Sequence, residues 1–403
     1  MLTLFAQFLL PLSSYLDEQS AEIDELSGSR SFYYADFIRI LIYLIYGMSI
    51  KIPSLRKLIL DLSSNVDLEK LGLKAVAFST FKDGFFRFNY LLVNKLYIYL
   101  LSNVVFNKIP NLKDLGLIKL VDGSLFPTLN SVDWAGYKKH KKAIRLHLSF
   151  CLNTLCPSDF LIAKGNSCER SFLRTIVEIG QTYIADRGYF SFNLAHFIDQ
   201  KRAYFIFRLK ENFIFESFIT LDITAGDQKM PLCFKAIKDD IIYFINDPNK
   251  IVYRLVRFKV LTSHFTICTN RFDLDTLQII MLYAYRWQIE LFFKFIKRTL
   301  NGIHLFSTSE NGAQIHFLII LITALLQLKL KQDCMAKMAI NKDNNTENKK
   351  ITLYDQHDPS EWIKSIALIF DNKYKISSDW LFYFKNKIAQ IIDYQIVANL
   401  SSA

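Results

Sequence analysis

Apolar residues recur at helical spacing through 33–50, 54–62 and 89–107, with breaks at Ser27-Gly28-Ser29 and Lys51-Ile52-Pro53. The opening stretch MLTLFAQFLLPLSSYLDEQS reads as the first helix of the same region, because it lacks the basic start and small-residue cleavage site of a signal peptide. Residues 1–115 are thus expected to be helical. At 116 the period changes. LIKLVDGSLF (117–126) is strand-like with Asp122 near its centre, IRLHLSFCLN (144–153) alternates polar and apolar, and SDFLIAKG (158–165) reads as a third strand. SCERSFLRTIVEIG (167–180) returns to helical spacing, with Ser167 as cap and Gly180 as stop. QTYIADRGYF (181–190) is a short strand ending on Asp186, followed by a helix near 191–200 and a fifth strand, AYFIFRLK (203–210). Short alternating runs over about 211–275 predict an all-β insertion.

A helix then spans MLYAYRWQIELFFKFIKRTLNG (281–302). At about 100° per residue, Tyr283, Arg286, Glu290 and Lys297 fall within about 60° of arc, beside an apolar stripe of Leu282, Ile289, Phe292, Phe293, Ile296 and Leu300. Spacing alone equally suits a salt-bridged surface helix, with Arg286 and Glu290 at i, i+4. The tail from 331 passes through the polar KDNNTENKK (342–350) to helices near 359–370 and 379–398. The class is α/β, in three parts: 1–115, 116–330 and 331–403.

Composition changes this picture in three ways. A length of 403 residues suits two or three domains. A net charge of +11 suits a polyanionic partner, nucleic acid or an anionic membrane. The hydrophobic fraction of 51% raises the membrane question, but the longest apolar run, FLIILITALLQL (317–328), is shorter than the roughly 20 residues that span a bilayer. It reads as core, and no membrane partner is expected. The six cysteines form no CxxC pair, so reduced thiols in the cytoplasm are the expectation. No Walker loop, HExxH or GxSxG is present.

The chemistry lies in three carboxylates. A strand-centred Asp, a strand-ending Asp and a helix-borne Glu can converge where the sheet meets the helix. Phosphodiester cleavage needs an activated nucleophile and a stabilised leaving oxyanion, and two hard cations about 3.5–4 Å apart supply both. Two or three carboxylates suffice to hold such ions.

Asp122 in VDGS, Asp186 in ADRGY and Glu290 in Y-x2-R-x3-E-x6-K together resemble the DDE transposases of bacterial insertion sequences, in the subgroup with the Tyr-Arg-Glu-Lys signature (the insertion-sequence-four family). The resemblance covers roughly 70 to 330, including STFKDGFFRF (79–88) and TNRF (269–272). It implies a ribonuclease H-like catalytic core with the all-β insertion, flanked by helical N- and C-terminal regions. It implies cut-and-paste transposition, with Asp122, Asp186 and Glu290 binding two Mg²⁺ ions, Mn²⁺ substituting. Tyr283, Arg286 and Lys297 would then hold DNA phosphates. The N-terminal region would read the terminal inverted repeats, and a homodimer on paired ends would deliver them to target DNA. Relatives with a hairpin mechanism use a Trp of the insertion to stack on a flipped base. No Trp lies in 211–275, so Phe265 or Tyr253 serves instead, or the end is resolved differently.

Other features stay open at this stage. The run YKKHKKAIR (137–145) suits either a DNA backbone or a solvated hairpin. Arg208 suits DNA contact or a surface ion pair. Gly188 suggests a tight turn, which its neighbours Arg187 and Tyr189 shape. The seven histidines show no ligand spacing and read as incidental or satisfied core groups. The rival functions are a catalytically inactive transposase-derived repressor and a peripheral membrane protein.

Overall fold

The strand-like runs after residue 116 join into one mixed sheet of ten strands. The computed structural model describes residues 2–27, 32–49, 55–64, 72–103, 115–223, 234–260, 262–298 and 304–343, with Glu69, Leu112 and Leu300. β1 (Ile118–Pro127), β3 (Lys141–Cys151) and β4 (Cys156–Lys164) pair antiparallel, and the short β2 (Gly136–Lys138) pairs with the start of β3. β5 (Thr182–Ala185) runs parallel to β1, and β6 (Tyr204–Arg208) parallel to β5. The expected insertion is β-rich: β7 (Phe215–Thr220), β8 (Phe234–Phe244), β9 (Val252–Val260) and β10 (Ser263–Thr269). It is not a separate module, because β10 pairs antiparallel with β6 and continues the core sheet in the order β2-β3-β1-β5-β6-β10-β9-β8-β7.

Strand alternation divides the core between the two faces. Ile118 and Leu120 enter a large apolar cluster on one face, whereas Val121 packs with Phe172, Leu173 and Tyr183 on the other. The second face carries α6 (Glu169–Ile176) and α7 (Phe192–Gln200). The first carries the N-terminal helices α1 (Leu2–Ser27), α2 (Tyr34–Ser49), α3 (Leu55–Ser64), α4 (Phe78–Arg87) and α5 (Tyr90–Asn103), with α8 (Thr276–Ala284), α9 (Trp287–Arg298) and α10 (Glu310–Asp343).

Two helices differ from expectation. α6 ends at Ile176, not at Gly180, because the Tyr183 hydroxyl donates to the Ile176 carbonyl (2.6 Å) and accepts from the Glu178 N–H (2.9 Å), replacing helical bonds. Its N-cap is Cys168, and Ser167 instead meets His147 Nε2 at 2.7 Å. The single helix expected over 281–302 is two. α8 starts at Thr276 behind an Asp275–Gln278 capping box, and the chain tightens at Tyr285-Arg286 into i→i−3 bonds before α9 begins.

Among the described residues, one segment, Glu310–Leu330, is long and apolar enough to cross a membrane. Here it is core: Ile315 and Phe317 to Ile322 have no exposed surface and pack beneath α1, α2, α5 and β4. A helix apolar all round is what such a position requires. α10 runs unbroken through residue 330. The helices expected near 359–370 and 379–398, and most of the polar stretch 342–350, lie outside the described residues.

The STFKDGFFRF and TNRF stretches serve as joints. Asn311 of α10 accepts from the Tyr90 N–H (2.8 Å) and donates to the carbonyls of Phe85 (2.7 Å) and Phe88 (2.9 Å), pinning the α4–α5 corner to α10. Asn270 accepts from the Phe205 N–H and donates to the Ala203 carbonyl, while Arg271 donates to Thr182 Oγ1 at 2.6 Å. Gly84 lets α4 touch α2: a Cβ there would lie 2.6 Å from Phe37 Cε2. Gly84→Ala is expected to destabilise the protein by about 1–3 kcal/mol through overpacking, despite the better helix propensity of Ala. Thermal melting checks this; a neutral or raised midpoint would show that the Phe37 ring moves freely aside.

Candidate active site

β1 and β5 share a ladder only as far as Leu120–Ile184. Beyond it β1 continues against β3 alone, with Asp122 opposite Leu148, and β5 ends at Ala185, delivering Asp186 into a turn closed by the Tyr189 N–H on the Asp186 carbonyl (3.1 Å). Both aspartates therefore stand where two parallel strands part at their carboxyl ends, the usual position for a site in an open α/β sheet. α9 packs on β1 and brings Glu290 in its first turn.

Arg286, buried in the turn between α8 and α9, links the three acids. Its Nη2 meets Glu290 Oε1 at 2.7 Å, and its charge acts on both Asp122 and Asp186. Burial alone would lower this guanidinium; Tyr283, Glu290, Asp186 and Asp122 outweigh that and hold it charged. Tyr283, also buried, donates to Asp186 Oδ1 at 3.1 Å. Arg208 Nη1 stands 4.0 Å from Asp186 Oδ1, with its guanidinium 4.2 Å above the Phe265 ring. Lys297 is half-buried over Phe126 (4.9 Å) within the field of Asp122. All seven site residues singled out in the sequence are thus joined in one network of contacts and charges. The polar ends of Tyr283 and Arg286 are turned to carboxylates.

The two aspartates are in opposite electrostatic states. Burial raises the Asp122 carboxyl to about 7; Arg286 and the Gly123 N–H oppose this, and Glu290 and Glu169 add to it. Burial also pulls Asp186 upward, but Arg286, the Arg187 N–H, Arg208 and Tyr283 outweigh it and hold this carboxyl below its ordinary value. Such separation marks a functional site more often than a structural one.

The donor set fits a hard divalent cation. It is all carboxylate oxygen, and Asp122, short of positive charge, accepts only the 2.8 Å bond from the Gly123 N–H among its described hydrogen bonds. Among the described residues, no three acidic, His or Cys side chains stand ready to enclose an ion as they are placed. Glu290 Oε1 is engaged by Arg286 Nη2.

Residues 115–326, just over half of the chain, match the transposase DDE domain family. The chain belongs to that family. It is 26% identical over 220 residues to "Putative transposase y4zB" of Sinorhizobium fredii, covering 53% of this chain and 60% of that protein. It is 24% identical over 188 residues to "Probable transposase for insertion sequence element IS5377" of Geobacillus stearothermophilus, covering 45% and 48%. The chain thus spans about half to three fifths of the length of these relatives. The matched span begins just before β1 and ends within α10, so it holds the whole site.

Two sequence readings need correction within this domain. Phe265 and Tyr253 cannot offer a free face to a base: Phe265 is buried, stacked on Phe258 and capped by Arg208, and Tyr253 is buried among Phe190, Phe205 and Phe244. Both point into covered faces of the sheet. Arg208 is no surface ion pair, since its side chain is 11% exposed. Gly188 lies in the tight turn that the sequence suggested, between Asp186 and Tyr189, without a positive φ; it also makes room for Glu169, whose Oε2 would lie 3.3 Å from a Cβ there. Glu169 escaped the sequence reading, and its partner Arg145 entered it only as the last residue of the basic run; the signal for Glu169 was a glycine shortly after each aspartate. Of the remaining open features, the basic run forms the β2–β3 hairpin, exposed at 138–141 and buried at Ala143 and Ile144, and His196 is a satisfied core group, 3.0 Å from Asp247.

The raised Asp122 pKa makes a stability prediction for protein kept in chelator. The folded state holds this proton more tightly than the unfolded chain, so the benefit is full below about pH 4 and is lost as pH rises through about 7. Asp122→Asn should therefore be more stable than wild type by about 2–4 kcal/mol at pH 8 and indistinguishable near pH 4. Denaturant melts at the two pH values check this; a pH-independent difference would rule out the ionisation as its cause.

Proposed function

We propose that this chain is a DDE transposase of the insertion-sequence-four type. It cleaves DNA at the ends of its own element and joins them to target DNA in cut-and-paste transposition. The observation that carries the reading is the convergence of Asp122, Asp186 and Glu290 around Arg286 at the parting of β1 and β5. Three antiparallel strands followed by two parallel ones support a ribonuclease H-like core, with β7–β10 as its insertion. Residues 1–115 would read the terminal inverted repeats, 116–330 carry catalysis, and 331–403 help assemble a homodimer on paired ends.

Asp122, Asp186 and Glu290 would hold the divalent ions, two Mg²⁺ per site with Mn²⁺ able to substitute. When bound, these neutralise charge on the attacking and leaving oxygens of an in-line displacement. The chain's own groups do the positioning. Tyr283 and Arg208 keep Asp186 ionised and aimed at the cleft. Arg286 is the switchable partner: as it gives up Glu290, its planar fork is free for a DNA phosphate, which it can grip with two bonds. Lys297 offers a point charge on the Asp122 side. The exposed lysines of the β2–β3 hairpin, Lys138, Lys139 and Lys141, extend a basic surface suited to a DNA backbone.

The test is strand cleavage of a labelled duplex carrying the element's terminal inverted repeat, in Mg²⁺ or Mn²⁺. Nicking at the repeat boundary that needs the metal is the expected result. Specific binding without cleavage in either metal would instead establish the inactive, repressor-like reading.

A further inference from the structure

A fourth carboxylate lies behind the three. Gly123 and Gly188 follow Asp122 and Asp186 by one and two residues, and both sit against the Glu169 side chain. A Cβ on Gly123 would lie 3.2 Å from Glu169 Oε1 and 3.4 Å from its Cγ; a Cβ on Gly188 would lie 3.3 Å from Oε2. One carboxylate therefore rests on both aspartate-bearing segments at once, one oxygen on each. Neither glycine has the positive φ that would otherwise account for it. A Cβ at either position would make the Glu169 side chain give by a few tenths of an ångström, and at Gly123 it would also crowd His147 Nδ1, 3.3 Å away.

The ladder explains why a span is needed here. Past Leu120–Ile184 no registered pair joins β1 to the Asp186 segment. Asp122 and Asp186 are thus carried by two pieces of backbone that have just separated. Alternation points Asp122 to one face of β1 and Gly123 to the other, where Arg145 and His147 of β3 also lie, opposite Leu125 and Gly123. Glu169 fills that rear face. Arg145 Nη1 pairs with Glu169 Oε1, and Arg145 Nε donates to the Gly165 carbonyl (3.0 Å). The neighbouring Arg170 Nε donates to the Gly188 carbonyl (3.1 Å), so the first turn of α6 grips the turn after Asp186 a second time.

We propose that Glu169 is a positioning residue: by spanning Gly123 and Gly188 with Arg145 behind it, it sets the spacing of Asp122 and Asp186. This deepens the transposase reading and rests on it. Size and reach carry the role, because each oxygen has its own glycine to rest on. Gln should therefore substitute well, whereas Ala empties the space and Asp, one methylene shorter, cannot rest on both glycines.

The test uses the full-length protein and Mn²⁺ alone, titrated by the paramagnetic resonance signal of free Mn²⁺, with thermal melts in chelator alongside. E169A is expected to weaken Mn²⁺ binding at least about tenfold and E169Q to stay within about threefold. G123A should weaken binding in the Glu169 background yet partly restore it in E169A, since the added Cβ refills the emptied space. That reversal is a coupling which merely summed structural damage cannot give. If E169A does not fold, E169D carries the test, and wild-type affinity in E169D overturns the proposal in favour of a charge effect. Wild type that binds Mn²⁺ with E169A within twofold of it, or G123A/E169A worse than either single change, also overturns it and leaves the parent reading intact. Wild type that holds no Mn²⁺ even when the inverted-repeat duplex is added removes the parent reading and this proposal together.

Discussion

Asp122→Ala and Glu290→Gln should each reduce metal-dependent nicking at the repeat boundary by about 10²–10³-fold or more, while binding of the same duplex changes only a few-fold. The two substitutions act differently. Asp122→Ala deletes a carboxylate that burial has pushed up to about 7, a group left short of positive charge in the protein alone. Glu290→Gln keeps the shape but removes the charge that Arg286 holds at 2.7 Å. In both, the cleft loses negative charge where hard cations must gather, and in-line phosphoryl transfer has little catalysis left beyond positioning. Single-turnover cleavage with a labelled end, run beside a binding titration, separates the two effects. Loss of binding in parallel with cleavage would show that these residues support the fold or the DNA surface rather than the chemistry.

Asp239→Ala should cost about 3–5 kcal/mol of stability, the largest single effect expected away from the cleft. Asp239 is fully buried and takes Arg254 Nε at 2.9 Å and Nη2 at 2.6 Å, with the Thr276 hydroxyl at 2.7 Å. Arg254, itself 4% exposed, also donates to the Leu274 carbonyl. Removing the acid strands a guanidinium in the interior, where its desolvation has no compensation. The pair also ties β8 and β9 to the first residue of α8, the helix that ends at Tyr283, so the variant should loosen the site as well. Replacing both partners by apolar residues of similar volume, as in Asp239→Leu with Arg254→Met, should recover much of the loss. Urea melts of the two variants test this; a single-variant cost under about 1 kcal/mol would show that water reaches the pair.

Much of the fold could be read along the chain. Strands at 117–126, 144–153, 158–165, 181–190 and 203–210 rest on period and composition, and each is present with ends shifted by a few residues. α2, α3 and α5 fall where the apolar spacing places them. The misses have specific causes. α6 is cut short by a hydroxyl from the next strand, Tyr183, which no helical pattern registers. The 281–302 helix keeps its apolar period across Tyr285-Arg286, so the break there has no signature in spacing. The aromatic faces of the insertion alternate as a half-exposed sheet should, yet Phe265 and Tyr253 are covered by residues distant in sequence.

By itself the sequence determined the order of the elements and the three acids: Asp122 on a strand, Asp186 at a strand end, Glu290 on a helix. These are local properties, since period, turn chemistry and residue type act over a few neighbours. Only the tertiary structure decided that Arg286 stands among the acids, that Arg208 lies on Phe265 beside Asp186, and that Glu169 rests on two glycines 65 residues apart. Those contacts depend on strand register and on where β1 and β5 part. A shift of one residue in either strand would turn the side chains to the opposite face, and nothing in the local pattern of Glu169 or Arg145 shows which way they point.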